Sequence, residues 1–187
     1  LMRNALAVFI FINAIDYIKE RKPVKYFLLV ALSISFHYSA ALFIPLYFFA
    51  YKKPSKKVFG CIFFAGVILY VLNISLFANL SSFLLGFVNP DMEEKVRYYL
   101  DEVAAKSPGI NFVFLEQVFT GVLVLCYMDK LRELREDANI YINCILLFFV
   151  MTFMLHEFVT LSMRMSILFG VGYWIVWMDL LKCFNFA

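Results

Sequence analysis

Apolar residues run with little interruption through Arg3 to Ile18, Tyr26 to Ala50, Val58 to Leu80, Phe112 to Met128, Ile140 to Val159 and Met165 to Leu181. Runs of this length match a helix crossing about 30 Å of hydrocarbon at ~1.5 Å per residue. Helices are required there because unpaired backbone groups cost too much in lipid. No single polar face is expected, since a helix buried all round is apolar all round. The long polar segment is Ser81 to Ile110. It carries Asn89-Pro90-Asp91 and Ser107-Pro108-Gly109 as breakers, with Met92 to Ala105 between them as one short amphipathic helix. A hydrophobic content of 64% and an aromatic content of 19% exceed what a soluble core absorbs. The expectation is an all-α, polytopic membrane protein, one transmembrane domain over residues 1–187 with no linker and no internal repeat.

Charge orients this frame. Lys and Arg gather at Lys19, Arg21, Lys22 and Lys25, at Lys52, Lys53, Lys56 and Lys57, and at Lys130, Arg132 and Arg135. Basic clusters mark cytoplasmic loops. The first two flank Tyr26 to Ala50, so a single crossing there would put one of them outside. A re-entrant helical hairpin, entering and leaving on the cytoplasmic side, keeps twelve of the 17 cations inside, Lys182 included, where a single crossing divides them almost evenly. We therefore read about five transmembrane helices plus this hairpin, with its tip at Ser33, Ser35, His37, Tyr38 and Ser39, and an external loop over about 81–110. Non-helical backbone at membrane depth needs protein or a watery cavity around it, which implies a cavity reaching His37. The chain opens on Leu1 with no basic leader or cleavage site, and reads as part of a longer protein whose N-terminal helices precede it.

Cost in lipid then singles out candidate chemistry. The five outer cations are Arg3, Lys95, Arg97, Lys106 and Arg164, of which Arg3 and Arg164 sit at outer helix ends. A guanidinium fork suits a diphosphate, while a terminal arginine also snorkels to headgroups. His37 is either a structural histidine holding the hairpin turn or a group that binds a sugar hydroxyl or diphosphate oxygen, or acts as a base. Glu116 and His156-Glu157 lie toward outer helix ends, either neutralising the arginines or supplying a base. Asp16 pairs with Lys19. Arg97-Tyr98-Tyr99 combines a cation with two rings that either stack on sugars or anchor the interface. The net charge of +3 has no clustered basic face for nucleic acid. No GxGxxG or P-loop is present, no cofactor is implied, and Cys61, Cys126, Cys144 and Cys183 lack the spacing of a metal or disulfide framework.

Arg3-Asn4-Ala5-Leu6-Ala7, the basic turn, Phe36-His37-Tyr38-Ser39-Ala40 with Pro45 beyond, the tyrosine-bearing loop and Arg164 together resemble the EpsG family over nearly the whole chain. That family is similar to Wzy-type polysaccharide polymerases, and the arrangement is similar to GT-C membrane glycosyltransferases. The resemblance implies transfer of undecaprenyl-diphosphate-linked glycan repeat units in exopolysaccharide, capsule or O-antigen synthesis, at the outer face of the bacterial cytoplasmic membrane. It implies catalytic roles for His37 and Glu157 and substrate contacts from Arg3, Arg97, Tyr99, Glu116 and Arg164, with no metal. The implied partners are a lipid-linked oligosaccharide, the bilayer and other polysaccharide-assembly membrane proteins. In GT-C enzymes a carboxylate of an early loop commonly serves in catalysis, and that loop would precede Leu1. Three rival readings are a flippase or exporter of lipid-linked saccharide, a membrane acyltransferase modifying the glycan, and a structural membrane partner.

Overall fold

The computed structural model describes residues 2–74 and 109–184. Arg97, Tyr99 and the amphipathic helix expected over Met92 to Ala105 lie outside the described residues. Within them the chain is helical, with no strand. Helix α1 (Met2–Lys19) turns directly into α2 (Pro23–Phe36). Arg21 takes a left-handed φ of 52°, which lets the Lys22 N–H reach back to Tyr17 O at 2.9 Å and close the end of α1. Pro23 then opens α2 at a position where no amide hydrogen is needed.

Between α2 and the next helix the chain reverses. Helix α2 stops at His37, which is extended (φ −151°, ψ 112°), and a 3₁₀ turn over Tyr38–Leu42 leads into a short returning helix, α3 (Phe43–Phe49). The buried Tyr26 hydroxyl donates to Phe43 O at 2.6 Å, and the Phe27 ring lies 5.3 Å from Tyr47 and 6.1 Å from Phe48. The start of α2 therefore packs beside the end of α3, which requires the chain to turn back at His37.

Helix α4 (Lys56–Val71) is capped by the Ser55 hydroxyl, which accepts from Val58 N–H at 3.2 Å. The expected run to Leu80 is not one helix. It closes at Val71, where Asn73 adopts φ 51° and Ile74 N–H reaches Leu69 O at 3.0 Å, asparagine tolerating the left-handed region that ends a helix. Helix α5 (Phe112–Leu134) starts at Asn111, whose side chain accepts from Phe114 N–H at 2.8 Å, and continues beyond the expected end at Met128. The expected helix from Ile140 to Val159 is also divided. Helix α6 (Ala138–Phe149) passes into a π-helical segment, Val150–Met154, and a turn. Helix α7 (Val159–Ser166), a 3₁₀ turn at Ile167–Phe169 and α8 (Gly170–Cys183) complete the described fold. The last helical stretch thus begins at Val159 rather than Met165, and Arg164 sits in its second turn.

Among the described residues, two stretches, Phe112–Leu134 and Val159–Cys183, are long and apolar enough to cross a bilayer, and only 28% and 39% of their apolar windows are buried within the protein. A core helix of a soluble protein would be mostly covered. Here Phe112 at 83% and Trp174 at 72% exposure face outward, which makes lipid the natural solvent of these faces. Other helices are shorter, and five full spans are not established by their lengths.

The three basic clusters meet at one end of the bundle. The Asn143 amide donates to the carbonyls of Phe49, Ala50 and Lys52 at 3.1, 2.8 and 2.9 Å. Lys19 pairs with Asp137 at 2.8 Å, Lys56 with Asp129 at 2.7 Å, and Arg135 with Asp179 at 3.3 Å. Asp16 pairs with Lys19 at 3.1 Å, as expected. The opposite end holds the start of α1, the hairpin turn, the ends of α4 and α6, and α7.

Candidate functional site

At that opposite end, three elements converge. Ser33, on the last turns of α2, donates to Ala7 O of α1 at 3.1 Å, which locks the hairpin against α1 one turn below Asn4. The Asn4 amide then donates to Arg164 O of α7 at 3.4 Å. Arg164 is also near enough to His37 for its charge to act on the imidazole. His37 Nε2 and Asn4 Oδ1 are shielded from solvent and have no hydrogen-bond partner among the described residues. Buried polar atoms are normally satisfied, and these two stand apart from that rule at this end of the protein. Arg3, next to Asn4, and Arg164 are both exposed.

An apolar groove begins at the same place. Asn4, Val8 and Ile12 of α1 face Gly170, Val171 and Trp174 of α8 across a cavity of about 540 Å³. Along α1 it extends from Asn4 to Ile12, about 12 Å at ~1.5 Å rise per residue. Asn4 therefore joins the polar end of the protein to an apolar trench.

Glu116 is placed elsewhere. Its carboxylate accepts the Tyr173 hydroxyl and, at 3.1 Å, the Thr120 hydroxyl, while Trp177 Nε1 donates to Thr120 Oγ1 at 3.1 Å. This network ties α5 to α8, and Glu116 pairs there with hydroxyls rather than with Arg3 or Arg164. His156 and Glu157 occupy the turn between the π-helical segment and α7, both buried at 2% and 6% exposure. The His156 Nδ1 lies 2.8 Å from Phe153 O. A carbonyl can only accept, so Nδ1 carries the hydrogen and Nε2 holds a lone pair in the neutral ring. That Nε2 and Thr152 Oγ1 are again buried without partners among the described residues.

Of the residues singled out by sequence, His37, Arg164 and Arg3 share one end of the protein, and Glu116 belongs to a separate contact. Sequence reasoning passed over Asn4, Thr152 and the tautomer of His156. Asn4 was visible as a polar residue among apolar neighbours, whereas the other two depend on the π-helical turn. Among the described residues, no group of three or more His, Cys, Asp or Glu side chains could hold a metal.

Comparison with known proteins adds one finding: the model of the EpsG family matches residues 1–186, essentially the whole chain. No curated protein and no solved structure matches it.

Proposed function

The chain belongs to the EpsG family, and on that premise we propose that it acts as a polysaccharide polymerase, moving a glycan from a polyprenyl diphosphate carrier to a second lipid-linked unit at the outer face of the bacterial cytoplasmic membrane. The observation that carries this reading is the junction of the Arg3, Asn4, His37 and Arg164 end with the apolar groove between α1 and α8. A diphosphate head with an isoprenoid tail has the same polarity profile. In this reading about five crossings and the re-entrant hairpin place the basic clusters in the cytoplasm and the cluster outside.

The chemistry asked of the site is modest. The acceptor hydroxyl oxygen bonds to the donor's anomeric carbon, the bond from that carbon to the diphosphate breaks, and the electron pair leaves on a diphosphate oxygen. Arg3 and Arg164 stabilise the charge that develops there. The proton of the acceptor hydroxyl passes to His37 Nε2, which has no competing partner. Diphosphate leaves without protonation, so no general acid is needed. Arg97 and Tyr99 hold the glycan from the external loop, and Glu157, buried in the turn before α7, is the second candidate for the base.

Replacing Arg164 with lysine in the full-length protein tests the arginine's role. Lysine keeps the charge and loses the planar fork, so polymer length falls and single lipid-linked repeat units collect on the outer face. Unchanged polymer would remove the diphosphate contact. Repeat units stranded on the inner face would instead point to a flippase.

A further inference from the structure

The turn between α1 and α2 holds an arginine where the backbone favours glycine. Arg21 has φ 52°, a left-handed conformation that most residues with a Cβ adopt only at a cost and that glycine or asparagine takes readily. Its cationic neighbours are already matched. Lys19 pairs with Asp16 and Asp137, and Lys22 pairs with Glu20 at 2.8 Å. Among the described residues no carboxylate pairs with Arg21. Its contact is the Tyr51 ring, whose centroid lies 5.6 Å from the guanidinium carbon. A ring face engages the charge and leaves the N–H donors uncommitted.

Arg21 and Tyr51 line a cleft of about 160 Å³ together with Ile18 at the end of α1 and Tyr47 in α3. Arg21 is exposed and Ile18 is buried, so the cleft joins an open charge to an apolar wall. Tyr47 carries this surface on to Phe48, the two ring centroids lying 5.9 Å apart, and Phe48 is 68% exposed. A different opening, lined by Lys19, Tyr51, Glu136 and Asp137, borders Tyr51 as well. Asp137 is neutralised there by Lys19 and Arg135, but Glu136 is exposed and acidic, so an anion is drawn to the Arg21 cleft instead.

In the topology proposed above, this end of the protein lies at the cytoplasmic surface, where inner-leaflet headgroups place phosphates directly above apolar chains. A guanidinium fork set against two tyrosines, and continuous with an exposed apolar ring, has the same order of chemistry. We infer that the cleft between the α1–α2 turn and the end of α3 binds an anionic phospholipid of the cytoplasmic leaflet. Arg21 donates to the phosphate oxygens, the Tyr51 ring holds the guanidinium, and an acyl chain lies along Phe48. Basic pockets between helices on this side of a membrane suit such headgroups. A zwitterionic lipid offers the same phosphate but brings a cation beside Arg21, so the site favours a lipid of net negative charge. The inference rests on the cytoplasmic placement of the basic clusters and not on the polymerase reading.

The test follows the melting temperature of full-length protein in detergent as lipid is added. Phosphatidylglycerol is expected to raise it saturably. Phosphatidylcholine with the same acyl chains, and inorganic phosphate at the same concentration, are expected to leave it unmoved. Arg21→Gly suits the left-handed backbone, so it should melt close to wild type without added lipid. It should nevertheless need about tenfold more phosphatidylglycerol for half the shift, the effect of losing one charge-assisted hydrogen bond. Arg21→Asn, which also tolerates this φ, should behave alike. Lys57→Gln removes another exposed charge from the same end and should keep the wild-type response. Equal stabilisation by both lipids would overturn the site, and would leave Arg21 to an acidic protein segment. A phosphatidylglycerol shift retained in both Arg21 variants, or weakened as much by Lys57→Gln, would also overturn it, since diffuse attraction by the basic clusters would then account for the binding. Inorganic phosphate as effective as phosphatidylglycerol would exclude the lipid as occupant.

Discussion

Asn143 offers the sharpest test of how the hairpin is held. Its side chain is 6% exposed, and its amide faces three carbonyl oxygens, those of Phe49, Ala50 and Lys52, at 3.1, 2.8 and 2.9 Å. These are the carbonyls where α3 ends and the chain leaves the hairpin. An NH₂ group has two hydrogens, so three acceptors imply one shared bond. Asn143→Ala removes about two net hydrogen bonds and should cost ~1–3 kcal/mol. Asn143→Asp is closer in shape but replaces the donor with an acceptor, and a carboxylate facing three carbonyls is both unpaired and repelled. It should cost more than the alanine, by a further ~1–3 kcal/mol. If packing alone mattered, the order would reverse, because aspartate preserves volume and alanine does not. Thermal unfolding of the purified protein in detergent reads the order directly. Lowering the pH should narrow the gap, since a protonated aspartate regains one donor. An Asn143→Asp protein as stable as wild type, or more stable than Asn143→Ala, would refute the claim that amide donation closes the hairpin.

Three further outcomes are expected. A methyl group added at Gly172 would lie 2.5 Å from Cys144 Cβ and 2.8 Å from the Ile145 backbone nitrogen, so Gly172→Ala should force α8 away from α6 and lower stability by ~1–3 kcal/mol in thermal unfolding. For Asp137, burial works to raise the carboxyl's pKa, but hydrogen bonds from Arg135 and Lys19 outweigh it and hold the group below the usual carboxylate range. A depressed folded pKa gives stability that is present above the unfolded value, about 4, and is lost as pH falls through the folded value; melting temperature should therefore drop more steeply in acid for wild type than for Asp137→Asn. Tyr173→Phe removes the hydroxyl that bonds Glu116 and Thr120 and should lower stability by ~1–2 kcal/mol without shortening the polymer in cells, whereas shortened polymer at normal protein stability would place Glu116 at the substrate after all.

The reversal at His37 was legible because charge had to be reconciled: two basic clusters around one apolar run cannot both face the cytoplasm unless the chain turns back. The placing of Arg164 at an outer helix end, and of His37 at a tip reached by a cavity, left their shared end of the bundle open. What stayed hidden had no marker in the residue pattern. Leu72 to Leu80 is apolar enough to continue a helix, and only the left-handed Asn73 ends it. No glycine or proline announces the π-helical segment at Val150–Met154, so Ile140 to Val159 reads as one span and the buried, unpartnered face of His156 cannot be inferred. Glu116 illustrates a different limit. An acidic residue near an outer helix end suggests a cationic mate, but here a hydroxyl on its own helix and one on α8 take that place.

The central claim is that the hairpin brings His37 and Arg164 to one side of the membrane while all three basic clusters remain on the other. Single cysteines at Lys22, Ser55, His37 and Arg164, in full-length protein freed of its native cysteines, can be probed in intact cells with a membrane-impermeant thiol reagent. Labelling at His37 and Arg164, with none at Lys22 or Ser55, is the predicted result. Labelling at Ser55 from outside would make residues 26–50 a full crossing and contradict the account.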